Sequence, residues 1–235
     1  MVTFSQKEII GQADSLLKAG QSRTALQLLA DEARQFSLGK EWDKFSRLKA
    51  REIRMYSDLN NDDKAMAVVE AALKLCASAM PQPVSAQIVL LKERAALEFK
   101  NGDMTTALAT LREAEARLRT QPDTKELIKI RNQAGGMLYQ TGDYHGALLH
   151  YRLCVSLAPE VYLDDSLRLG RLHYELGSAY WGIGQADSCR ISYENALALW
   201  EPSQGQWFSF LGEIYNVLGE LEWNQGNSSK ARQYF

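Results

Sequence analysis

Three cysteines in 235 residues, Cys76, Cys154 and Cys189, stand far apart and form no C-x-x-C pair. An odd number without ligand spacing argues against a disulfide framework and a zinc site, and suits a reducing compartment. Histidine is equally scarce, and His145, His150 and His173 show neither H-E-x-x-H nor another metal spacing. His145 and His150, five positions apart, point to different faces of a helix, which favours solvated or hydrogen-bonded roles over catalysis. No apolar run approaches the ~18–20 residues needed to span a bilayer. The opening MVTFSQKEIIGQADS is too polar for a signal peptide. Excess charge is also missing: 27 basic and 29 acidic side chains leave a formal charge of −2, which gives no reason to expect nucleic acid or a membrane as partner. Carboxylates are scattered without a pair suited to general acid–base work. Gly182-Ile183-Gly184 lacks the preceding strand that a dinucleotide loop requires. These absences predict a cytoplasmic, non-enzymatic protein that uses no metal or cofactor.

What the chain does have is a recurring phrase: a turn residue followed five places later by a small one. It reads Gly20–Ala25, Asn60–Ala65, Gly102–Ala107, Gly142–Ala147, Gly184–Cys189 and Gly226–Ala231, the turn residues standing 40, 42, 40, 42 and 42 positions apart. A period of this size marks a stacked helical-repeat array. Between the turns apolar residues fall at helical spacing, as in Leu108, Leu111, Ala114 and Leu118. No segment alternates as a strand would. Gly-Asp pairs such as Gly102-Asp103 and Gly142-Asp143 end one helix and cap the next.

The predicted helix pairs are 3–18 with 22–36, 40–59 with 62–79, 83–100 with 104–120, 122–140 with 144–157, 164–182 with 186–200, and 203–224 with 228 onward. The prolines, Pro81, Pro83, Pro122, Pro159 and Pro202, are predicted to lie between pairs, where no backbone N–H is needed. The expected organisation is one array over 1–235, with repeats at about 3–39, 40–82, 83–121, 122–162, 163–202 and 203–235.

In this register, equivalent positions carry equivalent residues. Eight places into each unit stand Ala13, Ile53, Ala95, Gly135, Gly177 and Gly219; four places after the second-helix small residue come Leu29, Val69, Leu111, Tyr151, Tyr193 and Phe235. Repeat five reads Leu176-Gly177-x-x-Tyr180 and repeat six Leu218-Gly219-x-x-Glu222. On these residues the chain resembles a tetratricopeptide (TPR) array over nearly its whole length. The long period is similar to that of kinesin light chains, LGN-type spindle proteins and the helical region of MalT-like bacterial regulators. Asn132 and Asn216, ten residues before their turns, match an asparagine of that class. The resemblance implies an all-α, right-handed superhelical array of antiparallel helix pairs. The sixth pair is cut short in its second helix, and the chain reads as a fragment of a longer polypeptide.

The resemblance also implies that the first helix of each pair lines a concave groove. Its expected contact residues are Arg47, Arg51 and Arg54 in repeat two, Lys92 in repeat three, and Lys129, Asn132, Gln133 and Tyr139 in repeat four. Repeats five and six add Arg171, Tyr174, Trp181 and Asn216. A basic patch grading into an aromatic, amide-rich surface suits an acidic peptide or an amphipathic helix of a protein partner. The blander reading gives the same residues structural work. Arg51 and Glu93 occupy equivalent sites on adjacent repeats and suit an inter-repeat ion pair, and Phe99, Tyr139, Trp181 and Trp223 share one position and suit packing between repeats. The expected function is a protein–protein interaction scaffold or regulatory module. The alternative is a domain that senses a ligand or signal peptide within a larger regulator; it predicts a closed pocket near Tyr139, Tyr174 and Trp181.

Overall fold

The computed structural model describes residues 5–200 and 208–235, and the side chains of Phe208 and Ser209 fall outside the description. Pro202, Trp207 and the predicted helix start at 203 lie outside the described residues. Among the described residues there are twelve helices and no strand.

The chain divides into two compact units, Met1–Pro122 and Asp123–Phe235. Unit 1 holds α1 (Gln6–Lys18), α2 (Ser22–Leu38), α3 (Trp42–Asp58), α4 (Asp62–Ser78), α5 (Val84–Lys100) and α6 (Met104–Arg117). Unit 2 holds α7 (Thr124–Gln140), α8 (Tyr144–Val161), α9 (Ser166–Gly182), α10 (Ala186–Trp200), α11 (Phe208–Asn224) and α12 (Ser228–Tyr234). Each is built of three helical hairpins whose members are neighbours in sequence, α1 with α2 through to α11 with α12.

The turns explain the period. After α5, the Gly102 N–H donates to Phe99 O at 2.9 Å and the Asp103 N–H to Glu98 O at 2.9 Å. This closes the helix C-terminus with Gly102 at φ +86°, a conformation costly for residues with a β-carbon. Asp103 then caps α6 by accepting from the Thr106 N–H at 3.0 Å. Asp143 and Asp165 cap α8 and α9 in the same way, accepting from the Gly146 and Arg168 N–H groups. One polar residue thus closes one helix and opens the next. In repeat two Asn60 takes the turn at φ +54°.

Pro159 departs from expectation. It lies inside α8, which runs on to Val161 instead of stopping near 157. In the last turn the missing N–H removes one ladder bond and no more, while Ala158 and Tyr162 on either side are buried and hold the segment in place.

In unit 1 a continuous core runs through α1 to α5, with Ile9, Leu29, Leu48, Val69 and Leu90 all buried. In unit 2 the close-approach sites decide the packing. A β-carbon on Gly135 would come within 2.7 Å of the Tyr151 ring, and one on Gly219 within 2.6 Å of Phe235. Each large ring therefore occupies the space its hairpin's glycine leaves.

Where repeat five places Tyr180, repeat six has Glu222, buried to 1% exposure. Its carboxylate accepts from Arg190 of α10, from Lys230 of α12 at 2.7 Å and from Asn227 Nδ2 at 2.9 Å. These partners hold its pKa down at about 2, with the bonds from Lys230 and Asn227 contributing most. The three cysteines are buried free thiols; burial pushes Cys76 up to about 11 and Cys154 and Cys189 up to about 12.

Candidate functional site

The first-helix face of unit 1 carries the predicted arginine stripe, and most of it is engaged within the protein. Arg51 Nε donates to Asp14 Oδ1 of α1 at 2.6 Å, and its Nη1 lies 3.6 Å from Asp58 Oδ2. Arg54 forks onto Glu93 of α5, with Nε 3.0 Å from Oε2 and Nη2 2.7 Å from Oε1. Glu93 therefore pairs with Arg54 and not with Arg51. Adjacent first helices are offset so that the residue six before one turn meets the residue nine before the next, not its exact equivalent. Arg47 is exposed and Lys92 half-buried. The acidic neighbours leave far less net positive field than the sequence stripe implied.

In unit 2 the corresponding face draws on α7, α9 and α11. Tyr174 is the hub. Its hydroxyl donates to Glu213 Oε2 at 2.5 Å. Its ring meets Phe210 edge-on at 4.9 Å and stacks on Tyr193 at 5.9 Å, with Trp200 at 6.1 Å. Burial and the adjacent Glu213 carboxylate raise the Tyr174 pKa. Tyr139 packs edge-on against Tyr144 at 5.2 Å and shares Ser178 and Glu213 as neighbours with Tyr174. Tyr139, Tyr174, Ser178 and Glu213 thus form one patch fed by three successive first helices.

The other predicted residues surround it unevenly. Arg171 Nε donates to Glu175 Oε1 on its own helix at 3.0 Å, and its guanidinium lies 5.9 Å over the Phe210 ring. Lys129 is tied to Glu126 one turn away. Asn132 and Gln133 are half-buried on α7; Trp181 and Asn216 are exposed. Of the aromatic column, Phe99 and Tyr139 are half-buried, whereas Trp181 and Trp223 keep 36% and 60% of their surface, so that position shifts from packing to display along the chain.

Reading the sequence by equivalent positions missed Glu213, Phe210 and Trp200. The available signal was the spacing: Tyr174 and Glu213 stand 39 apart, as do Arg54 and Glu93. Unit 1 also holds a furrow of about 440 Å³ between α2 and α4, floored by Phe45 and Tyr56 and rimmed by Arg34, Lys49 and Lys64. Among the described residues, no group of three His, Cys, Asp or Glu is placed to hold a metal ion. No described helix is long and apolar enough to cross a membrane.

The comparisons agree with this geometry. Residues 170–199 match the tetratricopeptide repeat family model, a span that takes in most of α9 and all but the last residue of α10. No curated protein matches the sequence. Among solved structures, BtubC (BKLC) from P. vanneervenii is similar with a TM-score of 0.77 at 15% identity, over 99% of this chain and 89% of that one. A Podosopora anserina kinesin light chain with nearly identical TPR-like repeats gives 0.64 at 15% identity, over 80% and 91%. Bacillus thuringiensis PlcR, solved with the peptide PapR7 and DNA, gives 0.62 at 14% identity, over 92% and 76%. The chain is an all-α array of TPR-like helix pairs, with the tetratricopeptide repeat signature itself carried by residues 170–199.

Proposed function

We propose that the protein is an interaction module that takes a peptide or helix of a partner protein on the first-helix face of unit 2. The observation that carries this reading is the convergence of Tyr139, Tyr174, Ser178 and Glu213 from α7, α9 and α11 on one patch, flanked by exposed Trp181 and Asn216. Stiff aromatic rings beside hydrogen-bonding side chains give contact area at low entropic cost, which suits an extended chain crossing several helices. Unit 1 contributes less under this reading, because Arg51 and Arg54 already hold carboxylates. A partner that engaged them would have to displace those pairs.

A second reading, a signal-peptide sensor within a longer regulator, draws on one specific likeness: PlcR was solved with a peptide and DNA. Both readings share the peptide and differ in what lies beyond it.

The test is retention of a randomised peptide library by the full chain and by Trp181→Ala and Asn216→Ala, both at exposed positions. The expected result is specific retention by the parent and weakening of about fivefold or more in at least one variant. Equal retention by parent and both variants would remove this face as the site.

A further inference from the structure

The furrow of about 440 Å³ between α2 and α4 is open because its walls are built of small residues, Ala30 of α2 and Ala67 and Ala71 of α4. These stand ten, seven and eleven places after their turns. The same positions on α4 and α6 carry Glu70, Ala109 and Glu113, and on α8 and α10 they carry Arg152, Ile191 and Asn195. A longer side chain at any of these places would reach into the space that alanine leaves. Phe45 and Tyr56 of α3 form an apolar floor, and Leu75 of α4 lines it with 42% of its surface exposed.

The rim carries charge of one sign. Arg34, Lys49 and Lys64 line the furrow and no Asp or Glu does. Lys49 is matched by Glu52 at 2.8 Å. Arg34 and Lys64 are exposed, and among the described residues neither the guanidinium nor the ammonium has a hydrogen bond or ion pair. Arg51 and Arg54 differ in this respect, being committed to charge rungs with Asp14 and Glu93. The two unmatched cations also stand at opposite ends. Lys64 and Tyr56 flank the Asn60 turn, each four residues from it, whereas Arg34 and Phe45 flank the Lys40 turn at six and five residues. From Lys64 to Leu75 the α4 wall extends about 16 Å, three helical turns.

These features choose the occupant. One anionic head on an apolar tail would need its cations gathered at one end. An extended peptide would need partners for its backbone, and the lining offers neither a strand edge nor an amide side chain. A helix satisfies its own backbone, and alanine walls let another helix approach closely. We propose that this furrow takes an amphipathic helix of a partner protein, about three turns long, with an apolar stripe and acidic residues toward both ends. The stripe enters over Ala67 and Ala71 toward Phe45 and Tyr56, and the acids meet Lys64 at one end and Arg34 at the other. The site is separate from the unit 2 face and does not rest on the reading given for it.

The experiment uses the full chain and a displayed library of helical peptides of about fifteen residues in an alanine-rich host, randomised along one face. The parent should retain helices with an apolar stripe, enriched about fivefold in Asp and Glu toward its ends. Ala67→Gln and Ala71→Glu fill the furrow at exposed helical positions, the second with the residue type that Glu113 already supplies on α6. Each should keep the parent's circular dichroism and weaken the retained helices about tenfold. Lys64→Glu should remove the acidic preference at one end and Arg34→Glu at the other, and high salt should weaken both preferences. Trp181→Ala in unit 2 should leave these helices bound. Absence of acidic enrichment in the parent, or full retention by both filling variants, overturns the proposal. So does binding of dodecanoate, abolished by Ala71→Glu, with no helix retained, which would assign the furrow to a small amphipathic anion instead.

Discussion

Gly177 of α9 lies against the ring of Tyr193 of α10: a β-carbon there would fall 2.5 Å from Cδ1 and 2.6 Å from Cε1. Tyr193 is fully buried, and its hydroxyl is 3.1 Å from Ser178 Oγ, so the ring cannot retreat without losing both packing and a hydrogen bond. Gly177→Ala should therefore destabilise unit 2 by about 1–3 kcal/mol, despite the better helix propensity of alanine. Gly136→Ala, on the neighbouring first helix and without a close contact, should be neutral or stabilising by up to about 1 kcal/mol. Urea unfolding followed by circular dichroism separates the two, and equal effects would contradict the packing described.

The depressed pKa of Glu222 makes the last hairpin acid-sensitive. A carboxylate whose folded pKa lies below its unfolded value stabilises the fold above the unfolded value and loses that contribution as pH falls through the folded one. For Glu222 the window runs from the ordinary 4.5 down to about 2. Hydrogen exchange should show α12 and the end of α11 losing protection across that range before α9 and α10 do. Glu222→Gln should flatten this dependence while weakening the hairpin at neutral pH.

Cys76, Cys154 and Cys189 should be silent toward a thiol reagent in the folded protein. Burial raises all three pKa values and removes access, so little thiolate forms at neutral pH. In urea all three should react with one rate. Rapid reaction of any one in native buffer would mean that its helix opens locally.

The Arg54–Glu93 rung should contribute modestly, because Arg54 keeps 58% of its side-chain surface. A double-mutant cycle with Arg54→Ala and Glu93→Ala should return a coupling of about 0.2–1 kcal/mol, and smaller at high salt. A coupling of zero at low salt would remove the rung as a link between α3 and α5.

Fold was legible because a repeat states its rules several times. Turn residues at Gly102 and Gly142, caps at Asp103 and Asp143, and small–large pairs such as Gly177 with Tyr193 each rest on local chemistry that the sequence shows directly. Pro159 misled because a proline near a helix end has two tolerable places, beyond the last turn or within it, and burial of Tyr162 decides between them. Side-chain partners on the first-helix face were harder to read. Arg51 and Glu93 share a repeat position, but the pairing depends on how far one helix slides past the next, a quantity set by packing and invisible to alignment of equivalent sites.

The triple grip on Glu222 bears on how this chain can be shortened. Two of the three groups that donate to it, Asn227 and Lys230, come from the final nine residues, and only Arg190 precedes it. A recombinant version ending at the Gly226 turn would keep the anion and discard most of what tames it, leaving a half-matched charge between α10 and α11. Cutting before α11 discards the acid together with its helpers, but it also uncovers the apolar face that Tyr193 and Trp200 share with Ile214 and Leu218, so neither truncation is free of cost.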